Sequence, residues 1–159
     1  MKKVYLGKIV STHGIKGELK IKSTFPYKEK AFRIGNHLII EEKKYEIKTY
    51  RVHKQFDMVT LDNYHDINEV LFLLKKNVYI EKEELSLAKE EVLEEELIKY
   101  QVLTTSGKRG IIKEIFFASP TNKIMRVMFD KEVLVPLNSP LVKIDVEKQE
   151  IRIDEMLEM

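Results

Sequence analysis

The chain has 159 residues, of which 43% are hydrophobic and 34% are charged, and it contains no cysteine. This hydrophobic fraction is large enough for a folded core and excludes wholesale disorder. The lack of cysteine excludes disulfides, thiolate metal ligands and thiol nucleophiles. The formal net charge of +2 is nearly neutral, so the total charge by itself gives no reason to expect a nucleic-acid partner.

The near-neutral total hides three regions of different charge. Residues 1–82 carry 17 Lys and Arg against 10 Asp and Glu, a balance of +7. Residues 83–96 have a balance of −6, and residues 97–159 have a balance of +1. We therefore expect a basic domain at 1–82, an acidic linker at 83–96 and a nearly neutral domain at 97–159. Repulsion between its glutamates should keep the linker extended or solvated.

Strand-like runs dominate the first domain. Short runs rich in β-branched and aromatic residues, or alternating apolar and polar residues, predict strands at 4–10, 18–23, 37–42, 45–52, 58–61 and 77–81. After Asp66 the spacing of the apolar residues changes from that of a strand to that of a helix. Asp66 is expected to cap one short helix, and Glu69 to complete a capping box. Several short strands and one helix predict a small, closed or nearly closed β-barrel.

The second domain is also rich in strands. Strands are predicted at 97–104, 111–118, 123–129, 132–137, 142–146 and 150–153, and glycine, proline, asparagine and aspartate mark the turns between them. These residues predict a second small barrel. The expected fold class is mainly β, with two small β-barrels joined by an acidic linker and one short helix in the first barrel.

No pattern in the chain is typical of catalysis or metal binding. The four histidines form no i, i+3 or i, i+4 pair, and a Gly-x-Ser-x-Gly motif and a phosphate-binding loop are absent. We expect no catalytic residue, no metal and no cofactor. Lys8 interrupts the first apolar stretch too early for a signal peptide, and no apolar run approaches the roughly 20 residues that span a bilayer. These features predict a soluble, cytoplasmic protein without a membrane partner.

The most distinctive local feature is a basic turn. Gly14 and Gly17 allow a tight turn with positive φ, and lysines cluster around it. One interpretation is a loop that contacts RNA phosphates, with His13 stacking on a base or bonding to the RNA. The alternative is an ordinary hairpin whose lysines are merely solvated.

A second feature is a strand that is apolar on both faces. Strict alternation places Ile112 and Phe116 opposite Ile111, Ile115 and Phe117. A small barrel has one interior, so the outward pair indicates either a protein partner or burial against the other domain or the linker.

These residues also carry a resemblance to a known family. Residues 7–20 resemble the opening signature of the ribosome maturation factor RimM family, since a glycine before the strand is combined with His-Gly-x-x-Gly-Glu at the turn. The second half resembles that family's PRC-barrel domain, with Gly107 and Gly110 before one strand, Pro120 and Asn122 before the next, and Pro136 after a third. The resemblance covers essentially the whole chain.

The resemblance implies a monomeric, non-enzymatic chaperone that helps the head of the small (30S) ribosomal subunit to mature, including processing and folding of its rRNA. The implied partners are the immature small subunit with its rRNA, and small-subunit ribosomal protein nineteen, bound through the PRC-barrel half. For RNA we expect contacts from Lys8, His13, Lys16, Lys20 and Lys22. For protein we expect contacts from Ile112, Phe116, Pro120, Asn122 and Arg126.

Departures from the family pattern, above all in the linker, and two alternatives accompany this hypothesis. The family often carries an aromatic pair in the linker, whereas here Val92 and Leu93 precede three glutamates and the nearest aromatic residue is Tyr100. One alternative is a stand-alone RNA-binding β-barrel module without a ribosomal role. The other is an enzyme acting on RNA, which the lack of an acid, base, nucleophile or metal constellation disfavours.

Overall fold

A computed structural model describes residues 2–154 of the chain. They are mainly β, with two separate sheets and a few short helices, and this part of the prediction is confirmed. The chain divides into two compact units, Met1–Leu87 and Ala88–Met159. The division falls inside the segment 83–96, which the charge pattern predicts to be a linker.

Six strands form a closed barrel in the first unit, in the order β1-β2-β5-β4-β3-β6. These strands are β1 Lys3–His13, β2 Glu18–Lys22, β3 His37–Ile40, β4 Lys43–His53, β5 Phe56–Leu61 and β6 Asn77–Glu81. Alternation sets their orientation: Leu19 and Ile21 are fully buried in the barrel, together with Val59 of the neighbouring strand. Burial of this apolar face is the main contribution to the stability of the barrel.

Two four-residue helices, not the single expected one, accompany the barrel: α1 Lys28–Ala31 and α2 Ile67–Val70. Asp66 caps α2 as predicted, since its Oδ1 accepts a hydrogen bond of 2.7 Å from the amide of Asn68. Glu69 accepts from the amide of His65, one residue before the position that a capping box uses. No helix in residues 2–154 has both the length and the apolar character to span a membrane.

As far as residue 154, the second unit has one helix, α3 Glu94–Leu97, and one six-stranded sheet in the order β10-β9-β8-β7-β12-β11. The strands are β7 Gln101–Thr104, β8 Arg109–Ser119, β9 Asn122–Met128, β10 Glu132–Pro136, β11 Val142–Asp145 and β12 Glu150–Ile153. Within residues 2–154, β10 and β11 stand at the two ends of this order, so the hydrogen-bonded ladder does not close as it does in the first unit. The core includes Met125, Val127 and Ile151, which are fully buried.

The acidic segment is only partly solvated. Leu85 is buried in the first unit, and Leu93 and Leu97 are buried in the second. Leu97 ends α3, so the strand predicted to start there begins at Gln101 instead. Two leucines inside the segment, and Leu97 directly after it, therefore anchor a segment that its glutamates alone would keep in water.

A buried polar network fastens α1 to the barrel. The side chain of Asp57 is inaccessible, and it accepts a 2.6 Å hydrogen bond from the Tyr50 hydroxyl and pairs with Lys28 Nζ at 2.9 Å. The Tyr50 ring stacks on Phe32, with ring centres 5.3 Å apart. Burial, and then the hydrogen bond to Asp57, raise the pKa of Tyr50, so its hydroxyl remains a proton donor.

We predict that Asp57→Ala lowers the free energy of unfolding by about 1–3 kcal/mol, because it leaves the half-buried Tyr50 hydroxyl without its acceptor. Urea denaturation followed by circular dichroism measures the loss. The control is Asp62→Ala, since Asp62 is exposed just after the same strand and should change stability by less than about 0.5 kcal/mol. Equal losses in the two variants would contradict a role for the buried network.

Candidate functional site

The basic turn between β1 and β2 is held in place by α2. Gly14 and Gly17 have φ values of +74° and +83°, as the sequence predicts. A side chain at Gly17 would come within 2.9 Å of the Asp66 carbonyl oxygen, so the turn lies directly against the start of α2. The amide of Ile67 donates a 2.9 Å hydrogen bond to the carbonyl of Ile15. The turn is therefore a fixed feature of the barrel surface.

The predicted lysines lie on the outside of the β1–β2 hairpin. Lys8 and Lys22 are direct partners across the two strands, and both are exposed. Lys20 is half-buried on the same side of β2 as Lys22, and Lys16 is exposed in the turn. We call these four residues the lysine cluster.

A second hairpin brings aromatic rings to the lysine cluster. The Nζ of Lys20 lies 4.5 Å from the centre of the Phe56 ring. Phe56 is the strand partner of His53 at the tip of the β4–β5 hairpin, and the His53 ring lies 5.5 Å from the ring of His13. Sequence reasoning missed Phe56 and His53, because they reach the site only through the pairing of β2 with β5.

The acidic residue of the turn is neutralised by an arginine. The guanidinium of Arg51 donates two hydrogen bonds to the Glu18 carboxylate, at 2.8 and 2.7 Å. The hydrogen bond from Arg51 lowers the pKa of Glu18, and burial opposes this only in part. Burial and the neighbouring positive charges, beginning with Arg51, lower the pKa of His53, which favours the neutral form of its ring. The surface around the lysine cluster thus presents cations, the rings of Phe56 and His53, and a Glu18 carboxylate that is paired with Arg51.

An open cleft of about 690 Å³ adjoins the turn. Ile15 stands at its edge with 81% of its surface exposed, and Tyr64 and His65 form part of the wall. Among residues 2–154, no group of three or more His, Asp or Glu side chains is arranged to hold a metal ion. The cleft offers apolar and aromatic contacts beside the lysines.

In the second unit, the prediction that Ile112 faces outward is wrong. Ile112 is 7% exposed and belongs to the core, whereas its neighbour Ile111 is 56% exposed. The strand pairing shifts between Ile112 and Glu114, so Lys113 is an extra residue that reverses the alternation. Phe116, beyond this bulge, remains on the outer face as predicted.

The outer face of β8, β9 and β10 is built around Arg126. Its guanidinium carbon lies 5.4 Å from the centre of the Phe116 ring, and Nη1 pairs with Glu132 at 3.1 Å. Leu134 is the strand partner of Arg126 and is 52% exposed. We call Ile111, Phe116, Arg126 and Leu134 the outer-face patch.

The other two residues predicted to bind protein lie at the end of the β8–β9 hairpin, at a distance from Arg126. Pro120 and Asn122 are exposed at the turn that joins β8 to β9. Asn122 is four residues from Arg126 along β9, which corresponds to about 13 Å at the usual rise of a strand. The structure therefore brings Phe116 and Arg126 together and leaves Pro120 and Asn122 at the end of the hairpin.

We predict that Glu18→Gln costs less than about 1 kcal/mol of stability at pH 7, because the carboxylate it removes pairs with a half-exposed Arg51. A lowered carboxyl pKa stabilises the fold above the pKa of the unfolded chain, and this stabilisation is lost as the pH falls through the folded pKa. The difference between variant and parent should therefore shrink in acid. Thermal unfolding at pH 7 and in acid tests this.

Glu83→Gln serves as the control for this titration, since Glu83 is exposed. It should change stability little at either pH. A loss in Glu18→Gln that is the same at both pH values would mean that shape, and not charge, is responsible.

Comparison with known proteins identifies the family. Residues 4–85 match the family model described as the RimM N-terminal domain. The chain is 37% identical to the ribosome maturation factor RimM of Staphylococcus saprophyticus, over 97% of this chain and 96% of that protein. It is 34% identical to RimM of Ligilactobacillus salivarius, over 94% of each.

A solved structure is also similar over nearly the full length. It is a crystal structure of a putative 16S ribosomal RNA processing protein RimM from Pseudomonas aeruginosa, 24% identical, with a TM-score of 0.47, covering 96% of this chain and 97% of that one. Sequence identity above 30% over nearly all of two curated relatives, and a family model that spans the barrel, agree with each other. The chain therefore belongs to the ribosome maturation factor RimM family.

Proposed function

We propose that this protein is a non-enzymatic chaperone for the head of the small ribosomal subunit, which binds small-subunit rRNA through its first unit and ribosomal protein nineteen through its second. Membership of the family assigns a role in ribosome maturation. The observation that carries the finer proposal is the division into two compact units with different surfaces. We also propose that it meets these partners in the cytoplasm.

The first unit suits an RNA partner. Residues 1–82 have a balance of +7, and the lysine cluster concentrates part of that charge on one fixed hairpin. Lysines that neutralise phosphates release counterions, so binding should weaken steeply with salt. We assign Lys8, His13, Lys16, Lys20 and Lys22 to this contact.

The second unit suits a protein partner. The outer-face patch exposes Ile111 and Leu134 around a partly buried arginine that lies against an aromatic ring. Arginine and aromatic residues are enriched at the interface positions that contribute most of the binding free energy. We assign Phe116 and Arg126 to this contact, with Pro120 and Asn122 at its margin and with Ile111 in the outward position expected for Ile112.

Joining two binding units in one chain makes the second binding event intramolecular. The affinity for a particle that holds both partners then exceeds the affinity for either partner alone, without any additional contact. This gives the protein a physical means to prefer an immature subunit over free RNA or free ribosomal protein.

We predict that the triple variant Lys16→Ala, Lys20→Ala, Lys22→Ala weakens binding to small-subunit rRNA and lowers the salt slope by roughly 0.7–0.9 per lost phosphate contact. Filter binding at several salt concentrations measures both quantities. Binding to ribosomal protein nineteen should be unchanged in the same variant, since these lysines lie in the first unit.

The matched control for charge is Lys131→Ala, Lys143→Ala, Lys148→Ala, which removes three exposed lysines of the second unit. Equal weakening of RNA binding in the two triple variants would show that total charge, and not the lysine cluster, is responsible.

We predict that Arg126→Ala weakens binding to ribosomal protein nineteen by about tenfold or more, which is the loss expected at a residue near the centre of an interface. Its control is Arg152→Ala, an exposed arginine of β12 in the same sheet, which should bind normally. Isothermal titration calorimetry with the full-length chain measures both. Undiminished binding in Arg126→Ala rejects the outer-face patch, and a parent chain that binds RNA but not the ribosomal protein supports the stand-alone RNA module instead.

A further inference from the structure

The rings of His13, His53 and Phe56 form a surface that differs in chemistry from the lysine cluster beside it. They come from three strands, β1, β4 and β5, and His13 is exposed while the other two are half-buried. The His13 and His53 rings are tilted by 47° to each other and so are not stacked face to face. We call these three residues the ring surface.

We propose that the ring surface binds unpaired nucleotides of RNA by stacking on their bases. This inference rests on the proposed RNA-binding function of the first unit and specifies the class of RNA. Aromatic and histidine rings stack on bases of any sequence, and stacking adds to binding only when a base face is accessible.

The charges around the ring surface fit a nucleotide. Lys20 lies 4.5 Å from the centre of the Phe56 ring, and the exposed Lys54 is in the turn between His53 and Phe56. Both can reach the phosphates on either side of a stacked base. The nearby Glu18 carboxylate is occupied by Arg51, which reduces its repulsion of those phosphates.

The ring surface is also held in a defined shape before RNA binds. Lys54 and Gln55 have φ values of +48° and +69°, which is the conformation of a tight two-residue hairpin turn. This turn sets His53 opposite Phe56 as strand partners. A rigid hairpin loses less conformational entropy on binding than a flexible loop would.

Unpaired RNA is the class that this combination favours. In a duplex the base faces are covered by their neighbours, so the protein meets phosphates and sugars, and lysines would suffice. The ring surface adds little to duplex binding. It adds affinity where a loop, bulge or single strand exposes a base.

The test uses the full-length chain and three labelled RNAs: a hairpin with a seven-nucleotide loop, the same hairpin with abasic loop positions, and a duplex of equal length. Abasic positions keep the phosphate charge and remove the bases. The parent protein should bind the intact loop about fivefold or more tightly than the abasic loop, since one stacked base contributes roughly that factor or more.

Variants connect this preference to the ring surface. His13→Ala and, separately, Phe56→Leu should weaken binding to the intact loop more than binding to the abasic hairpin, and so should lose part or all of the preference for the intact loop. His13→Ala changes an exposed side chain and keeps the test valid if Phe56→Leu disturbs folding. Tyr5→Leu is the matched control, because Tyr5 is an exposed ring near the other end of β1 and should keep the full preference.

The outcomes separate the two proposals. Equal affinity of the parent for intact and abasic loops overturns stacking and leaves RNA binding by the lysines in place. A preference that survives both His13→Ala and Phe56→Leu also overturns the assignment to the ring surface. Failure to bind any of the three RNAs, and small-subunit rRNA as well, removes the proposed RNA-binding function itself.

Discussion

The antiparallel pairing of β2 with β5 is the contact on which the candidate RNA-binding surface depends. It aligns Lys20 with Met58 and so places the β1–β2 hairpin beside the β4–β5 hairpin. Arg51 can then reach Glu18, and Lys20 can lie over Phe56. Each hairpin alone would display lysines or rings, whereas the paired strands display both on one surface.

Strand bulges decide which residues the second unit presents. One extra residue, Lys113, turns Ile112 into the core and leaves Ile111 outside. Beyond the bulge, Phe116 and Arg126 meet on the outer face. A bulge of this kind re-aims side chains without changing the composition of the strand, so the outer-face patch depends on where the ladder breaks.

The charge of the acidic side chains is compensated in different ways in different parts of the chain. In the first unit, Glu18 is held by Arg51 and Asp57 is buried between Tyr50 and Lys28, so neither competes freely with an anionic ligand. In the acidic segment, Leu85 and Leu93 are buried. The two leucines therefore hold this segment against the protein although its glutamates repel one another.

The sequence by itself determined the features that depend on near neighbours. Alternation predicted that Leu19 and Ile21 are buried and that Lys20 and Lys22 face outward, and the two glycines predicted a turn with positive φ. These results follow from backbone sterics and from the period of two in a strand. Both depend only on residues that are close together in the sequence. The resemblance in residues 7–20 likewise identified the family.

Tertiary structure decided the rest, because it depends on partners far apart in the chain. His53 and Phe56 joined the site through a strand register that no local pattern encodes, and Ile112 left the surface because its neighbour strand imposed a bulge. The strand predicted from Leu97 begins at Gln101 instead, because Glu94–Leu97 are good helix formers whose short helix places Leu97 in the core. Interactions between near neighbours thus determine most of the strands and the basic turn. Packing between distant parts of the chain determines which side chains share a surface.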